Sequence, residues 1–185
     1  GICSLIGLKL EGEGATVQPP RAFPWLVDEA SVASRRLEFI GDSITAAWGA
    51  RADASTRDDD PCNDAEDARS SWAHQVARRL RAEAHVIAWG GVGLALNDDA
   101  GTRPNGAAAP APWRRAIAND PESAWDVGSW LPHAVLIHLG TNDLCCGNEA
   151  ILSHAEFEQA YVDFIRQIVA ARCSATQAPV QHFFL

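Results

Sequence analysis

Two apolar stretches far apart in the chain end in the same way, and that shared ending limits what the chain can fold into. Leu37-Glu38-Phe39-Ile40 runs into Gly41-Asp42-Ser43, and Ala134-Val135-Leu136-Ile137-His138-Leu139 runs into Gly140-Thr141-Asn142-Asp143. Short apolar runs stopped by glycine and small polar residues predict buried strands with polar groups at their carboxyl ends. A third run, His85-Val86-Ile87-Ala88, stops at Trp89-Gly90-Gly91-Val92-Gly93. In an open parallel sheet, ligands bind in the crevice beyond the carboxyl ends of the strands. Three strand ends then face one crevice, with Ser43 as candidate nucleophile and Gly91 and Asn142 beside it.

Helical patterns separate the runs. Residues 44–48 predict the first turn of a helix whose unpaired amides lie close to Ser43. Trp72, Val76 and Leu80 fall four apart and Ala73 and Ala77 widen the stripe, which predicts a helix over 71–84 with His74 on its solvent side. Ser153 followed by Glu156 is a capping box, and Phe157, Tyr161, Phe164, Ile165 and Ile168 carry the apolar stripe on towards Ala171. A last strand is expected over 179–185. This alternation predicts an α/β fold, a three-layer sandwich around a mostly parallel sheet. Trp113, Trp125 and Trp130 lie in an irregular region and are expected to fill the core or cap the sheet, the alternative being rings that stack on sugars near a pocket.

Residues 5–10 read as a short strand followed by glycine and proline turn chemistry. An isolated strand cannot hide its apolar face. The expected division is therefore 1–20, the remnant strand of an N-terminal β-sandwich domain; 21–35, a linker; and 36–185, the α/β domain lacking its C-terminal part. The alternative is an extra edge strand on the main sheet. The chain begins at Gly1 without any methionine and ends on Phe183-Phe184-Leu185, which reads as mid-strand, so a fragment or a processed chain is expected.

The net charge is -9, which disfavours nucleic acid and anionic membrane surfaces as partners and suits a neutral substrate. No run approaches the roughly 18 apolar residues of a membrane span. The five cysteines show no zinc-ligand spacing, so no metal is expected. They permit disulfides, for instance from Cys62 to the vicinal pair Cys145 and Cys146, which would suit a secreted or organelle-lumen location; buried thiols are the alternative. The acidic segment over 50–69 lacks the residue order of a calcium loop and reads as solvated.

A serine that attacks an ester needs a base, donors for the developing oxyanion and room for the acyl group. Donors are at hand in the Ser43 amide, the Gly91 amide, with Gly90 and Gly93 as alternatives in the same run, and the Asn142 carboxamide. No cofactor is required. There is no G-x-S-x-G elbow, and no Asp stands three residues before a His. His138, His154 and His182 are not assigned as the base.

These blocks resemble those of the SGNH hydrolases, the GDSL-type esterases. That resemblance implies a flavodoxin-like sheet, a nucleophile at Ser43 and an oxyanion hole of Ser43, Gly91 and Asn142. A narrower likeness is carried by Val17-Gln18-Pro19-Pro20, the segment 36–45, Trp130, Leu139-Gly140-Thr141-Asn142-Asp143 and the stripe from Phe157 to Phe164. It is to the second family of carbohydrate esterases, which join a β-sandwich to an SGNH domain and remove acetyl groups from polysaccharides. Acetylated carbohydrate is the implied substrate. The family's late Asp-x-x-His block is absent, although members often manage with a Ser-His pair alone. The resemblance therefore implies a histidine base outside this chain, in a missing C-terminal segment or a second chain. The alternative is an inactive SGNH scaffold or a carbohydrate-binding subunit.

Overall fold

The computed structural model describes residues 35–52, 65–98, 108–145, 148, 151–173 and 182–184. The expected strand at 5–10, the linker up to residue 34, and Cys3, Cys62 and Cys146 lie outside these residues.

Four parallel strands form one sheet: β1 (Arg36–Gly41), β2 (Glu83–Ala88), β3 (Ala134–His138) and β4 (His182–Phe184), in the spatial order β2-β1-β3-β4. Among the described residues three α-helices accompany them, α1 (Ser43–Ala46), α2 (Trp72–Leu80) and α3 (His154–Cys173). Side chains alternate across a strand, and here the two faces take different helices. Leu37 and Phe39 join Ala134 against Ala73 and Ala77 of α2. Ile40, Val135 and Ile137 join Trp113 against Phe164 and Ile168 of α3. Both faces are covered, as a parallel sheet requires, and the three-layer α/β architecture expected from the strand-helix alternation is present.

The helix ends follow local chemistry. Ser153 and Glu156 form the capping box: Glu156 N–H donates to Ser153 Oγ at 3.3 Å, and Ser153 N–H donates to Glu156 Oε2 at 2.9 Å. Helix α2 starts at Ser71, whose hydroxyl accepts the His74 amide at 3.2 Å. It stops at Leu80, short of the expected residue 84, because Arg81 turns left-handed (φ 50°) and sends its amide back to Ala77 and Arg78. The buried Arg35 guanidinium donates to the Leu80 carbonyl at 2.9 Å and satisfies one of the orphan acceptors of the helix end. The chain is thus released early enough for β2 to begin at Glu83.

The stretch 37–40 carries one charge inward. Glu38, 1% exposed, accepts from Arg172 Nη2 at 2.6 Å and from Trp113 Nε1 at 3.4 Å. The Arg172 guanidinium also lies over the Trp113 ring, 5.4 Å from its centroid. His85 Nδ1 stands 3.4 Å from Glu38 Oε1 without hydrogen-bond geometry, and its ring is flanked by Trp125 and Trp130. Trp113 is fully buried in the core, and the other two tryptophans cap β2. Among the described residues, no helix is long and apolar enough to cross a membrane.

Candidate active site

The strand register brings the three ends level. Gly41 pairs with Ala88 on one side and with His138 on the other, so β1, β2 and β3 finish in one row. Ser43, Gly91 and Asn142 follow two, three and four residues past that row. The residues singled out from sequence therefore lie at the same edge of the sheet, with Ser43 on the inner strand.

Ser43 is half-buried and is the first residue of α1. Asp42 caps that turn, its Oδ1 accepting the Ile44 amide at 2.9 Å. The expected first helical turn is the whole helix, because Ala47 adopts a left-handed conformation (φ 65°) and ends it. Trp48 N–H donates to the Ser43 carbonyl at 2.9 Å, which holds the turn closed. The Asp42 side chain is fully buried. Burial pushes its carboxyl above the usual value, against the opposing pull of the Ile44 amide and the His138 imidazole. Asp42 Oδ2 and His138 Nδ1 are both buried without a hydrogen-bond partner.

The three glycines after β2 are not equivalent. A Cβ on Gly90 would meet nothing, whereas Gly91 has φ +73° and its Cβ would strike the Asp98 carboxylate. Asp98 N–H donates to the Gly91 carbonyl at 3.0 Å. Gly93 is packed so closely that a Cβ would run into the Leu96 carbonyl and into Asp143. Only Gly91 has the left-handed conformation that favours glycine.

Asn142 is buried and donates from Nδ2 to the Val92 carbonyl at 2.8 Å. A carbonyl only accepts, so the amide nitrogen must face it, and that nitrogen carries a second hydrogen. The bond ties Asn142 to the residue next to Gly91. Asn148 Nδ2 donates to the Asn142 carbonyl at 2.8 Å and to the Asn97 carbonyl at 3.0 Å.

Asp143 carries a role that its sequence position does not announce. Fully buried, its carboxylate accepts the amides of Leu94 at 2.7 Å, Ala95 at 2.6 Å and Leu96 at 2.9 Å. The only sequence signal was its place beside Asn142, since a carboxylate bound to a loop far away in the chain leaves no local pattern.

The described histidine side chains occupy other settings. His74 Nδ1 pairs with Ser71 Oγ at 3.1 Å, so it is half-buried and engaged where a solvent-facing side chain was expected. His133 Nδ1 accepts the Arg36 amide. His138 packs edge-on against Trp72, and His154 is exposed at the start of α3. A cavity of about 260 Å³ adjoins the ends of β1 and β2, lined in part by Gly41, Ala88, Trp89, Val92 and Arg115.

A model of the GDSL-like Lipase/Acylhydrolase family matches residues 39–183. The cellulase/esterase CelE of Acetivibrio thermocellus is 35% identical over 136 residues, a match covering 72% of this chain and 15% of that protein. An acetylxylan esterase / glucomannan deacetylase of Cellvibrio japonicus is 26% identical over 144 residues, covering 72% of this chain and 38% of that one. Among solved structures, a family two carbohydrate esterase from Clostridium thermocellum in complex with cellohexaose superposes with a TM-score of 0.61 at 30% identity. That match covers 77% of this chain and 41% of the other. The chain thus spans less than half the length of each of these relatives.

Proposed function

Because the chain belongs to the GDSL-like lipase/acylhydrolase family, we propose that it forms the nucleophile-bearing part of a serine esterase that removes O-acetyl groups from carbohydrate. The observation that carries this reading is the bond from Asn142 Nδ2 to the Val92 carbonyl. It fixes the carboxamide beside Gly91 at the sheet edge that also bears Ser43, and it uses only one of the two amide hydrogens.

In this reading Ser43 Oγ attacks the acetyl carbonyl carbon while a histidine takes its proton. The carbonyl oxygen becomes an oxyanion that accepts from the Ser43 amide, the Gly91 amide and Asn142 Nδ2. Preorganised donors of this kind act where charge develops and so lower the barrier itself. Collapse breaks the bond to the sugar oxygen, which takes the proton from the histidine and leaves as a hydroxyl, and water then releases acetate from the acyl-enzyme. The histidine is supplied from outside this chain, by a further segment of the same protein or by a second chain. The acetyl-polysaccharide substrate follows the acetylxylan esterase / glucomannan deacetylase activity of the similar Cellvibrio japonicus protein, and such a substrate fits a secreted or lumenal site of action.

The test is hydrolysis of nitrophenyl acetate and of acetylated xylan by the full-length protein. Activity that disappears in Ser43→Ala supports the proposal. A folded wild type that hydrolyses neither ester refutes it and leaves the non-catalytic, carbohydrate-binding scaffold.

A further inference from the structure

We infer that Asp143 is the positioning residue of the oxyanion loop, holding Gly91 and Asn142 in place without touching the reacting atoms. The inference rests on the esterase reading for its functional meaning, and on geometry alone for the clamp itself. Three successive amides, those of Leu94, Ala95 and Leu96, converge on one carboxylate that is fully withdrawn from solvent. Consecutive N–H groups of this kind form a concavity suited to an anion, and here the protein's own side chain fills it. Bonds to an ionised acceptor are short and strong, and a carboxylate is acceptor-only at both oxygens. No other side chain of similar size could serve all three donors, because an asparagine would present its own N–H₂ to at least one of them.

The clamp joins two strand ends. Asp143 follows Asn142 directly, and the loop it grips begins at Val92, whose carbonyl receives Asn142 Nδ2. Asn97 Oδ1 accepts the Gly93 amide at 3.0 Å, and Asn148 bridges the Asn97 and Asn142 carbonyls. The close approach depends on Gly93 lacking a Cβ. Gly91 is thereby held between the clamp on one side and the Asp98 amide on the other. Two of the three oxyanion donors are set by a single buried charge, so the hole is formed before substrate arrives.

The experiment compares wild type with Asp143→Asn in the full-length protein, by nitrophenyl acetate kinetics and by amide NMR. The expected result is a folded variant with kcat reduced about 30-fold or more and KM within about twofold, a split that marks an interaction lost in the transition state. The Gly91 and Leu94 to Leu96 amide resonances should move with it. A variant whose kcat stays within about twofold of wild type, or whose Gly91 resonance does not move, overturns the inference. Should Asp143→Asn fail to fold, wild-type relaxation decides: order parameters near 0.85 over 91–96 support a preformed loop, and values below about 0.6 refute it. An inactive wild type would sink the esterase reading, while the NMR comparison would still judge the clamp.

Discussion

Arg172, near the end of α3, donates to Glu38 in the middle of β1 at 2.6 Å, across 134 positions of sequence and with both side chains almost completely buried. The pair fastens α3 to the strand that leads to Ser43. Removing one partner strands a charge in the core, which typically costs 3–5 kcal/mol, whereas replacing both with apolar groups of similar volume is often neutral. Arg172→Ala is therefore expected to lower stability by about 3–5 kcal/mol in urea unfolding. The double variant Glu38→Leu with Arg172→Met should lose clearly less, and an equal or larger loss would show that the charges themselves are needed.

Asp42 gives stability a pH signature. Burial raises its carboxyl above the ordinary value of 3.8, so the folded protein holds the proton more tightly than the unfolded chain. The contribution is then full below the ordinary value and is lost as pH rises through the folded one. Asp42→Asn carries no charge and keeps an acceptor for the Ile44 amide, since Asn is as good an N-cap as Asp. It should melt above wild type at pH 7, with the gap closing as pH is lowered towards 3.8. A gap that widens on acidification would contradict this account.

In the proposed reaction Asn142→Ala removes one oxyanion donor, and in the structure it leaves the Val92 carbonyl without that bond. Loss of a single such donor generally costs 10²–10³ in kcat, and that is the expected fall on nitrophenyl acetate, with KM little changed. A mainly KM effect would place Asn142 in substrate binding instead.

The glycines after β2 should respond unequally to alanine. Gly90→Ala meets open space and is expected to stay within about 0.5 kcal/mol of wild type, as surface changes usually do. Gly93→Ala collides with the Leu96 carbonyl and should cost more than about 1 kcal/mol, the scale of an incompatible substitution at glycine. Thermal melts of the two variants compare them directly.

Much of this arrangement was legible because it is written locally. The runs that become β1 and β3 stop at glycine, the Ser153–Glu156 box announces α3, and the spacing of Trp72, Val76 and Leu80 reads directly as α2. The placing of Ser43, Gly91 and Asn142 at one sheet edge was legible for the same reason, since each lies two to four residues past a strand end. What escaped depends on partners brought in from far along the chain. Glu38 interrupts an apolar run and makes sense only once Arg172 and Trp113 are beside it. The early stop of α2 needs Arg35 at its end, and the part played by Asp143 needs a loop that begins about fifty residues earlier. Pairwise chemistry of that kind leaves no period and no motif.

The order β2-β1-β3-β4 has a consequence for how such a site can diverge. Ser43 rises from a strand bonded on both sides, whereas Gly91 rises from β2, which among the described strands has a neighbour only in β1. Reshaping the outer loop would redraw that flank and leave the footing of Ser43 untouched. A lineage built on this sheet can therefore vary the loop along one flank, while the Ser43 hydroxyl is inherited in place.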